Sequence, residues 1–247
     1  MLVITSIFAL SCTKYSHLYK VESNSAHISK DNFYIFENDS VKITYSFWGN
    51  RGVLAYTLYN KMSVPIYLDW KKSSFVRNSQ KLDYWVDETF TKGVTSSNYG
   101  LYPGYYDLLT ISSTRGVTKS SKPERITFIA PKSAITRVNF TLFTDPSIKV
   151  HDPSEETTLI ENDNKHSYLV KYWQYNFQKN PLSFRNFLTI STTENFQEEK
   201  YIDNEFYVSS VTKLKSSLLI PKSIFNKQSK KYENYNPFIS PTLFYIQ

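Results

Sequence analysis

The sequence predicts an all-β chain: an antiparallel, immunoglobulin-like β-sandwich built as one extended unit or two consecutive ones. Three observations carry this. Aromatic residues make up 17% of the 247 positions (20 Tyr, 17 Phe, 4 Trp), against only five alanines, so strand formers outweigh helix formers. Wherever a run is regular, apolar and polar residues alternate with a period of two, as half-buried strands require. Turn-forming clusters separate these runs.

The clearest stretch is Val41 to Phe75. Val41, Ile43, Tyr45 and Phe47 share one parity, and Lys42, Thr44 and Ser46 the other. Gly49-Asn50-Arg51-Gly52 turns the chain, Leu54, Tyr56 and Leu58 resume the alternation, and Asn60-Lys61-Met62-Ser63 turns it again before Ile66, Leu68 and Trp70. This reads as a three-strand antiparallel meander serving as core scaffold. Trp70 shares parity with Ile66 and Leu68 and is expected to be buried.

Further strands are expected at Leu82 to Val86, Leu108 to Ile111, Arg125 to Ala130 and Ile135 to Phe143. In the last of these Thr136, Val138, Phe140 and Leu142 form the apolar face. Pro131 closes the strand before it, where a missing donor is tolerated. The second half repeats the pattern at Ser167 to Phe177, Phe184 to Thr192, Glu205 to Leu214 and Ser217 to Ile220. Both parities of the first run are bulky, which predicts cover on both sides.

Composition excludes several classes. Six glycines, ten prolines and 40% hydrophobic residues argue against collagen-like, low-complexity or disordered chains. A net charge of +7 permits attraction to anionic surfaces, but the lysines are scattered, with only Lys71-Lys72 and Lys227 with Lys230-Lys231 adjacent. A nucleic-acid footprint is denser than this, and no nucleic-acid partner is expected.

The single cysteine, Cys12, excludes an internal disulfide. It follows the apolar run Leu2-Val3-Ile4 and Ile7-Phe8-Ala9-Leu10, which is too short to span a bilayer and has the length of a secretory leader core. Ala9-Leu10-Ser11-Cys12 resembles the lipobox of bacterial lipoproteins in the relaxed form of Bacteroidetes-type sequences. The usual leucine three places before the cysteine is here Ala9, and no Lys or Arg precedes the apolar run. The segment NKMSVPIYLDWKKSSF, with FRNFLTIST and YIDNEFYVSSV downstream, is similar to uncharacterised lipoproteins of that group. The resemblance implies a cleaved leader, lipidation of Cys12, membrane attachment through that lipid and an outer-membrane address. It implies no activity. Thr13 and Lys14 lack the acidic character of some surface-exported lipoproteins, which favours the periplasmic side over the cell surface.

The expected organisation is a leader over 1–11, a flexible tether over 12–32, a β-sandwich unit over 33–146, a linker over 147–164, and a second β unit or continuation of the same sheets over 165–247. The linker reading rests on Pro146, Pro153 and Glu155-Glu156, which interrupt the strand pattern.

No motif predicts catalysis, a cofactor or a metal. The four histidines are dispersed, and His151-Asp152 with Glu155 and Glu156 has no metal-ligand spacing. G-x-S-x-G, G-x-G-x-x-G and phosphate-loop patterns are absent. Asp69 beside Trp70, Asp83 near Trp85, and Asp203 with Glu205 are candidates for convergent acid chemistry, and none exceeds the background expected for 22 acids. Tyr99, Tyr102, Tyr105 and Tyr106 crowd around Pro103-Gly104 and form the candidate ligand or partner surface. The expected function is a non-enzymatic binding or structural role, as an accessory subunit with an envelope protein partner. The alternative is a carbohydrate-binding or glycan-processing accessory protein.

Overall fold

The computed structural model describes residues 14–85, 90–91, 120–121, 124–144, 156–161, 167–226, 231–236 and 238–247. In chain order the strands are β1 (Tyr15–Ser23), β2 (His27–Ile28), β3 (Tyr34–Glu37), β4 (Val41–Ser46), β5 (Val53–Asn60), β6 (Ile66–Arg77) and β7 (Gln80–Asp83). There follow β8 (Phe90–Thr91), β9 (Ser120–Ser121), β10 (Ile126–Ile129), β11 (Ala134–Thr141), β12 (Glu156–Glu161), β13 (Ser167–Gln174), β14 (Ser183–Ser191) and β15 (Lys200–Lys215). A 3-10 turn over Ser216–Leu219 leads to β16 (Lys222–Asn226), β17 (Lys231–Tyr235) and β18 (Leu243–Ile246).

Two antiparallel sheets make a sandwich. The large sheet runs β10-β6-β14-β15-β1-β18; β7 pairs beside β10 on β6, and β13 with β12 pairs on β15 beyond the end of β14. The smaller sheet runs β11-β5-β4-β3-β2. Tyr34, Ile43, Tyr45, Phe47, Leu54, Tyr56 and Leu58 from the small sheet pack on Leu68, Phe75, Phe184, Leu188, Phe206 and Val208 from the large one. The rings interlock: Phe47 meets Phe184 edge-on at 5.3 Å and Tyr45 meets Phe206 at 4.9 Å.

A short polar chain crosses this core. The Tyr45 hydroxyl donates to Asn204 Oδ1 at 2.7 Å and accepts from Asn186 Nδ2 at 2.9 Å, while the Tyr84 hydroxyl donates to Asn186 Oδ1 at 2.6 Å. Asn186 and Asn204 face each other across β14 and β15, so one tyrosine of the small sheet is pinned to two strands of the large one. Burial pushes the Tyr45 phenol well above its ordinary pKa, keeping it a donor.

Five expectations are corrected. The expected meander has the right strands with one wrong pairing. β4 pairs with β5, but β6 leaves for the other sheet, where it pairs with β10, β7 and β14. Asn60 makes the corner, fully buried, with its Nδ2 donating to the carbonyls of Val64, Ile129 and Ala130 and its Oδ1 accepting from Met62 N–H.

The expected tether is no tether over most of its length. β1 is an interior strand between β15 and β18, with Tyr19 and Val21 in the main core. Its partners lie near the other end of the chain, and Ser16, His17 and Lys20 dilute the local apolar signal.

The expected linker contains β12, paired along its length with β13, and the large sheet interleaves strands from both halves of the sequence. Ser217 to Ile220 lies in the 3-10 turn and its cap rather than in a strand, held by Ser216 N–H donating to the Lys14 carbonyl at 3.0 Å. In β11 a register irregularity between Val138 and Thr141 reverses the parity, so Ile135 and Phe140 reach the core and Val138 is exposed.

A second, smaller core lies on the opposite face of the large sheet, at the end where β1 begins. Leu18, Leu214 and Val170 are covered there by Trp48, Leu219, Phe238 and Tyr245. β13 is covered on both faces only in part, against the expectation from its bulky parities: Trp173 joins the main core and Val170 the second, while Leu169, on the parity of Trp173, is 71% exposed.

Candidate functional site

The outer face of the large sheet is organised by one irregularity. Opposite β14, Thr189 pairs with Asp69 and Phe187 with Ser74, so Trp70 to Ser73 on β6 face a single residue, Leu188. Such an excess of residues on one strand leaves backbone groups unpaired unless side chains take them. Asp69 does so. Its Oδ1 accepts from the N–H groups of Lys71 and Lys72 at 2.9 and 3.2 Å. The Ser73 hydroxyl donates to the Asp69 carbonyl and accepts from Thr189 N–H, and the Thr189 hydroxyl donates to the Lys72 carbonyl. The bulge is thus closed by Asp69, Ser73 and Thr189, and it turns Lys71 and Lys72 outward.

Asp69 is fully buried, and Arg125 on the half-exposed approach to β10 covers it, Nη2 donating to Oδ2 at 2.8 Å. The hydrogen bond to Asp69 raises the Arg125 pKa further above its ordinary value. Beside it, Lys72 is ion-paired with Glu199, and Glu199 Oε2 accepts from the Tyr201 hydroxyl at 2.7 Å. The Lys72 ammonium holds the Glu199 carboxylate below its usual range, and Glu199 raises both Lys72 and Tyr201. These groups are exposed, so the pairing fixes orientation more than it stabilises the fold.

Aromatic rings sit among these charges. Tyr201 is 61% exposed and lies nearly parallel to Phe187, with centroids 5.6 Å apart and planes at 21°. Phe128 is 56% exposed and meets Tyr67 edge-on at 5.6 Å. Strand register puts Asp69, Thr189 and Tyr201 in one row, with Tyr67 and Phe128 paired one step away. Across the same face Arg185 binds Asp203, with Nη2 and Oδ2 3.0 Å apart. The result is a surface with exposed rings between charges whose partners already hold them.

The carboxylates singled out in the sequence do not converge. Asp69 is held by Arg125, Asp83 by Lys81 at 2.6 Å, and Asp203 by Arg185. Among the described residues no cluster of three or more His, Cys, Asp or Glu side chains could hold a metal ion. Trp70 is 5% exposed, as its parity predicts, and its indole N–H donates to Thr127 Oγ1 at 2.8 Å. Trp85 is half-buried against the core, with Lys71 Nζ 5.5 Å from its ring centroid. Tyr99, Tyr102, Tyr105, Tyr106, Cys12 and His151 lie outside the described residues.

Sequence reasoning missed Phe187, Tyr201 and Phe128. The signal was present: Phe187 shares parity with Arg185 and Thr189 rather than with Phe184, Leu188 and Ile190. Tyr201 likewise shares parity with Asp203 and Glu205. A large ring on the wet parity of a strand is exposed by construction.

No protein-family model, curated protein or solved structure matches this chain. Among the described residues no helix is long and apolar enough to cross a membrane.

Proposed function

We propose that the chain is a lipid-anchored envelope protein that acts by binding a protein partner rather than by catalysis, with the outer face of the large sheet as its contact surface. The observation that carries this reading is the combination of exposed Tyr201 and Phe128 with pre-paired Lys72–Glu199, Arg125–Asp69 and Arg185–Asp203 on one face. Tyrosine and arginine offer large contact area and directed hydrogen bonds at low ordering cost. The internal ion pairs lower that cost further, because the side chains are already oriented. The membrane attachment rests on the resemblance of Ala9-Leu10-Ser11-Cys12 to a lipobox.

A second reading is favoured by one observation. Tyr201, backed by the near-parallel ring of Phe187, presents an aromatic surface of the kind on which a sugar ring stacks.

One experiment separates the two. The tagged chain and a Tyr201→Ser/Phe128→Ser variant are used to capture material from detergent-solubilised envelope, and both are titrated with envelope oligosaccharides. The protein-partner reading expects one reproducible protein band lost in the variant and no saccharide binding. Saccharide binding that disappears in the variant supports the glycan reading, and equal capture by both chains overturns the assigned surface. Membrane fractionation of Cys12→Ser tests the anchor, which unchanged membrane association would sink.

A further inference from the structure

We infer that the end of the large sheet where β1 begins is a membrane-apposed surface that rests on anionic lipid headgroups. The inference builds on the lipid-anchor reading above and adds the face by which the domain meets the bilayer. Its starting point is the corrected tether: the described chain starts at Lys14, whose carbonyl already accepts from Ser216 N–H, and Tyr15 opens β1. Only Thr13 separates Cys12 from the folded domain. A lipid on Cys12 therefore holds this end of the sheet within a few residues' reach of the headgroups, roughly 3.3–3.6 Å each.

The surface at that end has the matching chemistry. Tyr15 pairs with Lys215, His17 with Lys213, and Lys213 with Lys171 across β1, β15 and β13, so these side chains share one face, with Leu169 two places along. The opposite face of the same strands is closed by the second core, where Ser16 Oγ meets Ser216 Oγ at 2.8 Å and Leu219 covers Leu214. On the open face Tyr15 is 49% and Leu169 71% exposed, and Lys215 is exposed. Lys213 Nζ stands 5.1 Å from the Tyr15 ring centroid. Lysines with exposed tyrosine and leucine are the composition of an interfacial patch: the rings and alkyl groups enter the headgroup layer and the ammonium groups meet phosphates. Lys14 adds a further exposed cation next to Tyr15.

The full chain carrying Cys12→Ser is purified and sedimented with phosphatidylethanolamine–phosphatidylglycerol vesicles and, separately, with phosphatidylcholine vesicles. Each lysine near an anionic surface contributes enough that Lys213→Glu with Lys215→Glu is expected to weaken binding to the anionic vesicles by about tenfold or more. Lys30→Glu with Lys200→Glu, the same charge change away from this end, is expected to leave binding within about twofold, as charges beyond a Debye length are screened. Lys213→Gln with Lys215→Gln is expected to lose part of the binding, which keeps the test valid if the glutamate pair fails to fold. Equal binding by both lysine pairs, or equal binding to anionic and neutral vesicles, overturns the surface. Palmitate labelling of the unmodified chain in cells tests the anchor independently: absence of label removes the anchor while the vesicle comparison still decides the surface.

Discussion

Removing the Asp69 carboxylate strands the N–H groups of Lys71 and Lys72 and leaves Arg125 without its partner, all within one bulge. Asp69→Ala is expected to cost about 1–2 kcal/mol in chemical denaturation, because the two N–H groups inside the bulge lose their acceptor. Asp69→Asn keeps an acceptor for both N–H groups and is expected to lose less. An unchanged midpoint for the alanine variant would contradict this role. His17 gives a pH signature. Burial, then the charge of Lys213, lowers its pKa from the ordinary 6.5, so the folded state disfavours the imidazolium. The unfolded chain then binds more protons below that value, and this contribution to stability is present above about pH 6.5 and is lost as pH falls toward the depressed folded value. His17→Gln is expected to flatten the slope of melting temperature against pH in that window; an unaltered slope would show that His17 does not contribute.

At the level of elements, the chain shows its strands more readily than their partners. The bounds of β4 and β5, the start of β6 and the burial of Trp70 follow from the alternation that begins at Val41, whereas the run of β6 on to Arg77 does not. The passage of β6 to the opposite sheet was not legible, because it depends on where the Asn60 amide finds the carbonyls of Ile129 and Ala130, some seventy residues away. β1 was missed for a related reason: Ser16, His17 and Lys20 interrupt its apolar pattern and its strand partners are distant in sequence. The bulge was hidden because Lys71-Lys72 reads as a solvated pair until Asp69, Ser73 and Thr189 are seen to close it. The β4–β5 turn carries a prediction of its own. Gly52 has a φ of +70°, and a Cβ there would lie 2.9 Å from both Leu142 Cδ1 and Phe244 Cγ. Gly52→Ala combines left-handed backbone strain with a core clash and is expected to destabilise by about 2 kcal/mol or more in thermal or chemical denaturation. A loss below about 0.5 kcal/mol would mean that the turn and Leu142 relax freely.

Across the whole molecule, the large sheet threads β1, β6, β14, β15 and β18 together, so neither half of the sequence holds the complete large sheet. Fragments 14–146 and 165–247 expressed separately are expected to lack cooperative unfolding, whereas the intact chain unfolds in one transition; a cooperative melt in either fragment would restore the two-unit organisation. The same interleaving leaves the outer face of β6, β14 and β15 rigid enough to present Tyr201 and Phe128 as a preformed surface. The most direct measurement of whether that surface binds a protein is photocrosslinking in intact cells, with a benzophenone amino acid placed at Tyr201 and, as a control, at Lys132 on the turn before β11. A discrete higher-mass adduct from position 201 and none from position 132 is the expected result. No adduct from position 201, or the same adduct from both positions, would contradict partner binding through this face.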